Sequence, residues 1–416
     1  MARETAPARG TTQGGSGGRS ARRSLVASAI GYGADGFDNL MIGFALVPIT
    51  RGLGLTTAQA GSLATVTLVG AVLGGVALGI AADYLGRVRI LAWSIVGFAV
   101  FTGLTAASRD YPQLVIFRFL AGIGLGAEYG VGMALAAEAW SARRRAQATS
   151  WVGIGGQLGT LVGVLIAGPV LGAWGWRALF VLGAVPAIIA FALRRTLHEP
   201  DKFVARRRAA RQSGQRARFP LRLLVADRRT TVTSLAVLLL CSVQTFGYYG
   251  IMTWLPTYLS QKVGFSVTKS GVWTAVTITG MVAGMFVFGR LADRIGRRPS
   301  FWIFQLGAIV SVLVYARLAT PVSLLIGGAV LGVFVNGMLG GYGALMAELY
   351  PTTARATAQN VLFNLGRAIG GFAPIVFAVI ASGHGFATAI GLLAVLYAMD
   401  MLVVLLIPER RGSELD

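Results

Sequence analysis

Twelve times along this 416-residue chain a predominantly apolar run of 18 residues or more recurs. As an α-helix rising 1.5 Å per residue, such a run crosses a hydrocarbon layer about 30 Å thick. Inside lipid every backbone N–H and C=O must find a partner within the chain, which helices provide for themselves. The runs predict an all-α membrane protein with helices over 25–47, 62–82, 90–108, 112–139, 147–171, 176–195, 230–259, 267–291, 299–318, 320–347, 355–382 and 385–407, numbered below as spans 1 to 12. The chain is 55% hydrophobic and 13% charged. Soluble domains carry about 25% charged residues, so a soluble fold is excluded.

The formal charge of +21 raises the question of a nucleic-acid partner, and the distribution of that charge answers it. Of the 37 Lys and Arg residues, 29 fall in the two tails and the even-numbered loops, six on the opposite side, and Arg118 and Arg367 within spans. This is the positive-inside pattern of a multi-pass protein with both termini cytoplasmic, and no nucleic acid is expected. Residues 1–24, rich in Gly, Ser and Arg, read as a disordered basic tail; 25–195 and 230–407 read as six-helix bundles, 196–229 as a basic cytoplasmic linker and 408–416 as a tail. The basic stretch 194–229 sets orientation and can also meet anionic lipid.

An internal repeat stands at an offset of 210 residues. Gly79, Ala82, Asp83, Gly86 and Arg87 in GIAADYLGRVR recur as Gly289, Ala292, Asp293, Gly296 and Arg297 in GRLADRIGRRP, and Glu138 and Arg145 recur as Glu348 and Arg355. A shift of six spans preserves orientation, so the halves are parallel repeats about an axis normal to the membrane. Carrying these motifs, the chain resembles the major facilitator superfamily of secondary transporters over nearly its whole length after residue 25, with Ala81 in place of the usual leucine of the first loop signature. The resemblance implies that Asp83, Arg87, Asp293, Arg297 and the repeated Glu138, Arg145, Glu348 and Arg355 form a cytoplasmic gate between the bundles.

Ionisable groups in a membrane core are costly and mark function. Asp35 and Asp38 share one face of span 1, at a depth where shielding and neighbouring charge can bring a carboxyl into the range needed to take and release a proton. Arg118, in RFLAGIGLG of span 4, is the partner expected for Asp38, and Glu128 nearby is either a second proton relay or a structural acceptor. Asn360, Asn364 and Arg367 recur at helical spacing in span 11, and a guanidinium left unpaired at mid-depth would suit an anionic substrate. Asp400 is an alternative internal partner whose depth fits poorly. Gln244, Tyr248 and Tyr249 in span 7 give an aromatic, amide-bearing face suited to a solute. Gly155, Gly159 and Gly163 make a small-residue stripe for close packing on span 5.

Asp35-Gly36-Phe37-Asp38 resembles the span 1 signature of aromatic acid:proton symporters, and RFLAGIGLGAEYG with the Glu138 loop resembles sugar and metabolite:proton symporters. Together they imply proton-coupled import of a small organic anion, such as an aromatic or other carboxylic acid, by rocking of the two bundles. A neutral sugar is the alternative if Arg367 is paired internally, and a drug or metabolite exporter ranks below both. An enzyme is not expected: the two histidines, His198 and His384, stand apart in loops. The lone Cys241 can make neither an internal disulfide nor a thiolate metal cluster. No cofactor or metal is expected, only protons as coupling ion. The expected setting is a monomer in a bacterial inner membrane, to which the ratio of 34 Arg to 3 Lys also points through codon composition.

Overall fold

The structure, a computed structural model, describes residues 16–199, 203–205, 208, 209, 212, 219–264 and 267–415. Span 1 is Ser16–Leu53, span 2 Thr57–Leu85 and span 3 Arg87–Ala107. Span 4 is Tyr111–Leu125, continued past Gly126 and Ala127 by Glu128–Ala139. Spans 5 and 6 run through Arg145–Arg194, divided at Gly175, whose φ of 75° lies outside any right-handed helix. Spans 7, 8 and 9 are Arg228–Val263, Val267–Ile295 and Arg297–Tyr315. Span 10 is Pro321–Gly337 with Leu339–Leu349, span 11 Arg355–Gly370 with Ala373–His384, and span 12 Phe386–Val403.

Ten elements among the described residues are long and apolar enough to cross a membrane. The break at Gly175 divides one of these in two, and the 38-residue span 1 supplies a twelfth crossing. An even number of crossings returns both ends of the described chain to one side, hereafter the terminal face. Expected and observed limits agree within a few residues except at the start. Residues 16–24, expected as disordered tail, are helix; Arg19, Ala21, Arg22 and Arg23 favour that state and the segment has no proline, although Gly17 and Gly18 do not favour it. Residues 1–15 and much of 196–229 lie outside the described residues.

The repeat is deeper than the loop motifs that revealed it. Gly86 and Gly296 take φ of 119° and 109° at the turns after spans 2 and 8. At the same offset Gly54 and Gly264 (62° and 66°) and Gly175 and Gly385 (75° and 79°) turn the chain on the opposite face. Such angles are open to glycine and strained for other residues. Each half-loop signature is also capped by its own half's last loop. Glu199 accepts from the N–H groups of Arg87 (2.8 Å) and Arg89 (3.1 Å), and Glu409 from that of Arg298 (2.8 Å). Burial pushes the Glu199 carboxyl above its usual range, against the pull of those N–H donors.

Polarity is inverted relative to a soluble protein. Trp93, Phe372, Val379 and Leu402 are among the most exposed side chains, while the largest fully buried ones include Arg87, Arg118, Arg194, Arg297 and Arg355. Apolar surface turned outward suits lipid, and charge turned inward requires partners. Span 1 packs tightly on span 5. A Cβ on Gly155 would collide with the Ala29 carbonyl and one on Gly159 with that of Gly33, while Gly163 is in ordinary contact with Phe37. Span 6 is fastened at its terminal-face end by Arg194, which donates to Glu128 (2.6 and 2.9 Å) and to the Leu91 carbonyl (2.7 Å); Ser94 also donates to Glu128 (3.0 Å).

Two stability outcomes follow from this packing. Gly159→Ala should destabilise the N-terminal half by about 1–3 kcal/mol through overpacking, whereas Gly172→Ala, which meets nothing within 4 Å, should be neutral or stabilising in thermal unfolding in detergent. Arg194→Leu, by leaving Glu128 buried and unpaired, should cost about 3–5 kcal/mol, and adding Glu128→Leu should recover most of it. A double variant as unstable as the sum of its parts would show that the pair is not the unit of stability.

Candidate functional site

Span 1 carries its two acids to two different arginines. Asp35 accepts from both terminal nitrogens of Arg367, with contacts of 3.1 and 3.3 Å, and this pair joins the N-terminal to the C-terminal half. Arg367 Nε donates to the Tyr249 hydroxyl at 2.9 Å, which fixes the plane of the guanidinium. One turn along, Asp38 takes a bidentate pair of hydrogen bonds from Arg118, one of them at 2.9 Å. Arg118 Nε donates to Thr67 at 3.2 Å, and the Phe180 ring lies 5.6 Å from the guanidinium carbon. The first pair spans the two bundles; the second lies wholly within one.

These pairs border connected space. A small cavity between the halves is lined by Asp35, Arg367, Gln157, Gln244, Asn336 and Thr160, and by the rings of Tyr32, Tyr248, Tyr249 and Phe363. A second hollow of about 370 Å³ is shared by Asp35, Asp38, Thr67 and Arg367, so both carboxylates face one volume. Asn39, Tyr248 and Tyr249 also line a third space of about 900 Å³, reached past Gly43, Phe44 and Met252. Those residues lie further along spans 1 and 7 toward the face opposite the termini. The third space thus lies between the central cavity and that face, with Asn39, Tyr248 and Tyr249 bordering both.

On the terminal face the halves are tied together. Arg87 meets Asp83 (3.0 Å) and Glu138 (3.2 Å), and Glu138 also receives Arg355 (2.8 Å). Asp83 accepts from the first N–H groups of span 11, at Ala356 and Thr357. The mirror image is present: Arg297 meets Asp293 (3.0 Å) and Glu348 (2.7 Å), Glu348 receives Arg145 (2.8 Å), and Asp293 caps span 5 at Ala146 and Gln147. Each aspartate thus sits on a helix N-terminus of the other half, where the helix dipole favours negative charge. The eight residues singled out at the two loop signatures form two crossed clusters of four, each tying one half to the other on this face.

Two expectations, on Arg367 and on the asparagines, are corrected, and two open alternatives, Asp400 and Glu128, are located. Arg367 is not unpaired: Asp35, from the other half, is its acid. Asp400 is not that partner; it accepts from Gln305 at 2.9 Å inside the C-terminal half. Glu128 does not line the cavity and is held by Arg194, a residue read from the sequence only as the start of the basic stretch 194–229. Asn360 and Asn364 do not face the cavity. Asn360 accepts from Gly130 N–H (3.1 Å) and Asn364 donates to the Gly126 carbonyl (3.0 Å), so both satisfy backbone where span 4 bends. Bends free backbone groups that lipid cannot satisfy, which is why amides gather there.

Tyr32, Asn39, Gln157, Thr160, Asn336 and Phe363 line the site and were not recognised in the sequence. One of them had a signal: Gln157 occupies, at the 210-residue offset, the position of Arg367.

The sequence profile of the Major Facilitator Superfamily matches residues 28–286 and 258–415. A Haemophilus influenzae protein named only as a metabolite transport protein is 55% identical over 397 residues, 95% of this chain and 98% of that one. The cis,cis-muconate transport protein of Acinetobacter baylyi is 30% identical over 84% of this chain and 85% of its own, and the 4-hydroxybenzoate transporter of the same organism is 28% identical over 80% and 79%. Among solved structures, the proton:xylose symporter XylE superposes with a TM-score of 0.80 at 17% identity, covering 96% of this chain and 98% of that one. With this family profile, these relatives and two repeated six-span bundles meeting at a central cavity, the chain belongs to the Major Facilitator Superfamily and is a membrane transporter of small molecules, not an enzyme.

Proposed function

We propose that the protein is a proton-coupled symporter that imports a small organic carboxylate across a bacterial inner membrane by alternating access. The observation that carries this reading is the Asp35–Arg367 pair in the wall of the central cavity. In this pair a carboxylate from one half occupies the position at Arg367 that a substrate carboxylate would take in its place. A proton on Asp35 removes its charge and releases the guanidinium, so a proton and an anion enter as a neutral set. Asp38, facing the same hollow as Asp35 and held by Arg118, is a second carboxyl along the proton's route. Reorientation rocks residues 25–195 against 230–407, and the crossed ion network must open for release on the terminal face. The excess of Lys and Arg on that face makes it cytoplasmic. The relatives named for muconate and 4-hydroxybenzoate transport handle carboxylates, which supports the substrate class.

A neutral sugar is the second reading, and the internal pairing of Arg367 favours it, because a sugar could bind with the pair intact. Liposomes containing the protein and an internal pH dye separate the two. Carboxylates, and not sugars, should acidify the lumen. Arg367→Ala should weaken carboxylate binding about 10- to 100-fold, the worth of lost charge-assisted hydrogen bonds. Asp35→Asn should bind carboxylate with little dependence on pH and lose accumulation against a gradient, and Asp38→Asn should lose acidification. Proton entry with sugars alone, or acid transport indifferent to Arg367→Ala, would sink the carboxylate reading.

A further inference from the structure

Spans 1, 5 and 6 enclose a groove on the outer surface of the N-terminal half, lined by apolar residues alone. Its floor is Ala29 and Gly33 of span 1 with Gly155 and Gly159 of span 5, whose backbones touch and carry no side chain large enough to fill the surface. Pro186 of span 6 stands on one wall, and Val26, Val162 and Val185 on the rims are exposed. The groove follows residues 26–37 of span 1 and 155–166 of span 5, which start level because Gly155 packs on Ala29. Eleven residues at 1.5 Å each make about 16 Å, close to half of a hydrocarbon core about 30 Å thick. The groove therefore has the length of one lipid leaflet, the one on the terminal face. Asp35 lies two residues from both Gly33 and Phe37, about half a turn round span 1, so the groove is separate from the central cavity. At its foot the helix of span 1 continues down to Ser16, and Arg22 and Arg23 stand one turn before Val26 on the same face. Both are exposed, as is Arg144 at the N-cap of span 5. No Asp or Glu occurs in residues 16–34 or 139–198, so the bordering segments bring no acid to these arginines.

We infer that this groove is a binding site for an anionic phospholipid of the terminal-face leaflet, with one acyl chain along residues 26–37 and the phosphate headgroup at Arg22, Arg23 and Arg144. A concave floor of small residues lets an acyl chain touch protein on three sides, contacts that a convex helix surface does not offer. The groove gives the chain its place, and the arginines choose the headgroup. Each arginine near the membrane surface is worth about fivefold in affinity for an anionic lipid. A zwitterionic phospholipid brings its own ammonium group, which the same arginines repel. Bound there, the lipid braces span 1 against spans 5 and 6 from behind the face that carries Asp35.

Native mass spectrometry of the full-length purified protein, titrated with phosphatidylglycerol and phosphatidylethanolamine of identical acyl chains, tests this. Phosphatidylglycerol should bind about 10- to 100-fold more tightly. Replacing Arg22, Arg23 and Arg144 together by glutamine should bring the two lipids to within about twofold of each other. Val162→Trp, which fills the groove, should lose the tightest-bound lipid of either kind. Val310→Trp, at an exposed position of span 9 outside the groove, should keep it. Should Val162→Trp fail to fold, Val26→Trp blocks the groove at its foot, and the arginine variant decides on the headgroup in either case. A preference for phosphatidylglycerol that survives the triple substitution belongs to the basic residues 196–229 and overturns the inference. Equal affinity for the two lipids in the unmodified protein, or lipid retained as well by Val162→Trp as by Val310→Trp, overturns it too.

Discussion

Charge buried in the hydrocarbon region must be neutralised in place, and the architecture follows from that requirement. Among the described residues seven arginines (87, 118, 145, 194, 297, 355 and 367) are paired with seven carboxylates (35, 38, 83, 128, 138, 293 and 348). The large net positive charge therefore belongs to the tails and loops, where it orients the chain. Removing one partner of a buried pair leaves a bare charge worth about 3–5 kcal/mol of destabilisation, so each pair fixes which helices stay together.

The pairs divide by what they join. Asp38–Arg118 and Glu128–Arg194 lie within the N-terminal half and can persist while that half moves as a body. The crossed network on the terminal face and Asp35–Arg367 join the halves, so a rocking motion must break them. Groups at the membrane surface would rehydrate as they part, as a reversible latch in the proposed mechanism requires. Asp35 and Arg367 lie deeper and have less water to turn to. In the proposed symport their separation is met by substitutes for both members, a proton on the carboxylate and an anion on the guanidinium, which would tie substrate movement to proton movement.

The sequence made the fold legible because its determinants are local: run lengths fix the spans, glycines fix the turns, and arginine placement fixes the sides. The meeting of Asp38 and Arg118 was also legible, since depth along two adjacent spans suffices to align them. What escaped was geometry around the helix axis. Arg367 and Asp35 are 332 residues apart, and depth alone could not say that span 11 turns its arginine toward span 1. Asn360 and Asn364 look like ligands by spacing, yet they serve a bend in span 4 that no residue type announces; Gly126 and Gly130 read equally well as packing glycines. Arg194 sat at the edge of a basic stretch where one more arginine carried no message.

The repeat separates what maintains the fold from what does the work. Gly86 and Gly296, Asp83 and Asp293, Glu138 and Glu348, and Glu199 and Glu409 match at an offset of 210 residues, and each of these pairs serves turns, caps or the latch, which both halves need alike. The membrane-core charges do not match: Asp35 faces Thr245 across the offset, Asp38 Tyr248, Arg118 Gly328, Glu128 Met338, and Arg367 Gln157. A duplicated half begins with the same groups on both sides of the cavity, so these five positions record divergence after duplication. The walls of the cavity are accordingly unlike, with Arg367 on one side and neutral hydrogen-bonding groups such as Gln157 on the other. Of these five positions, Asp35, Asp38 and Arg367 border the cavity or the hollow beside it, and Arg118 holds Asp38.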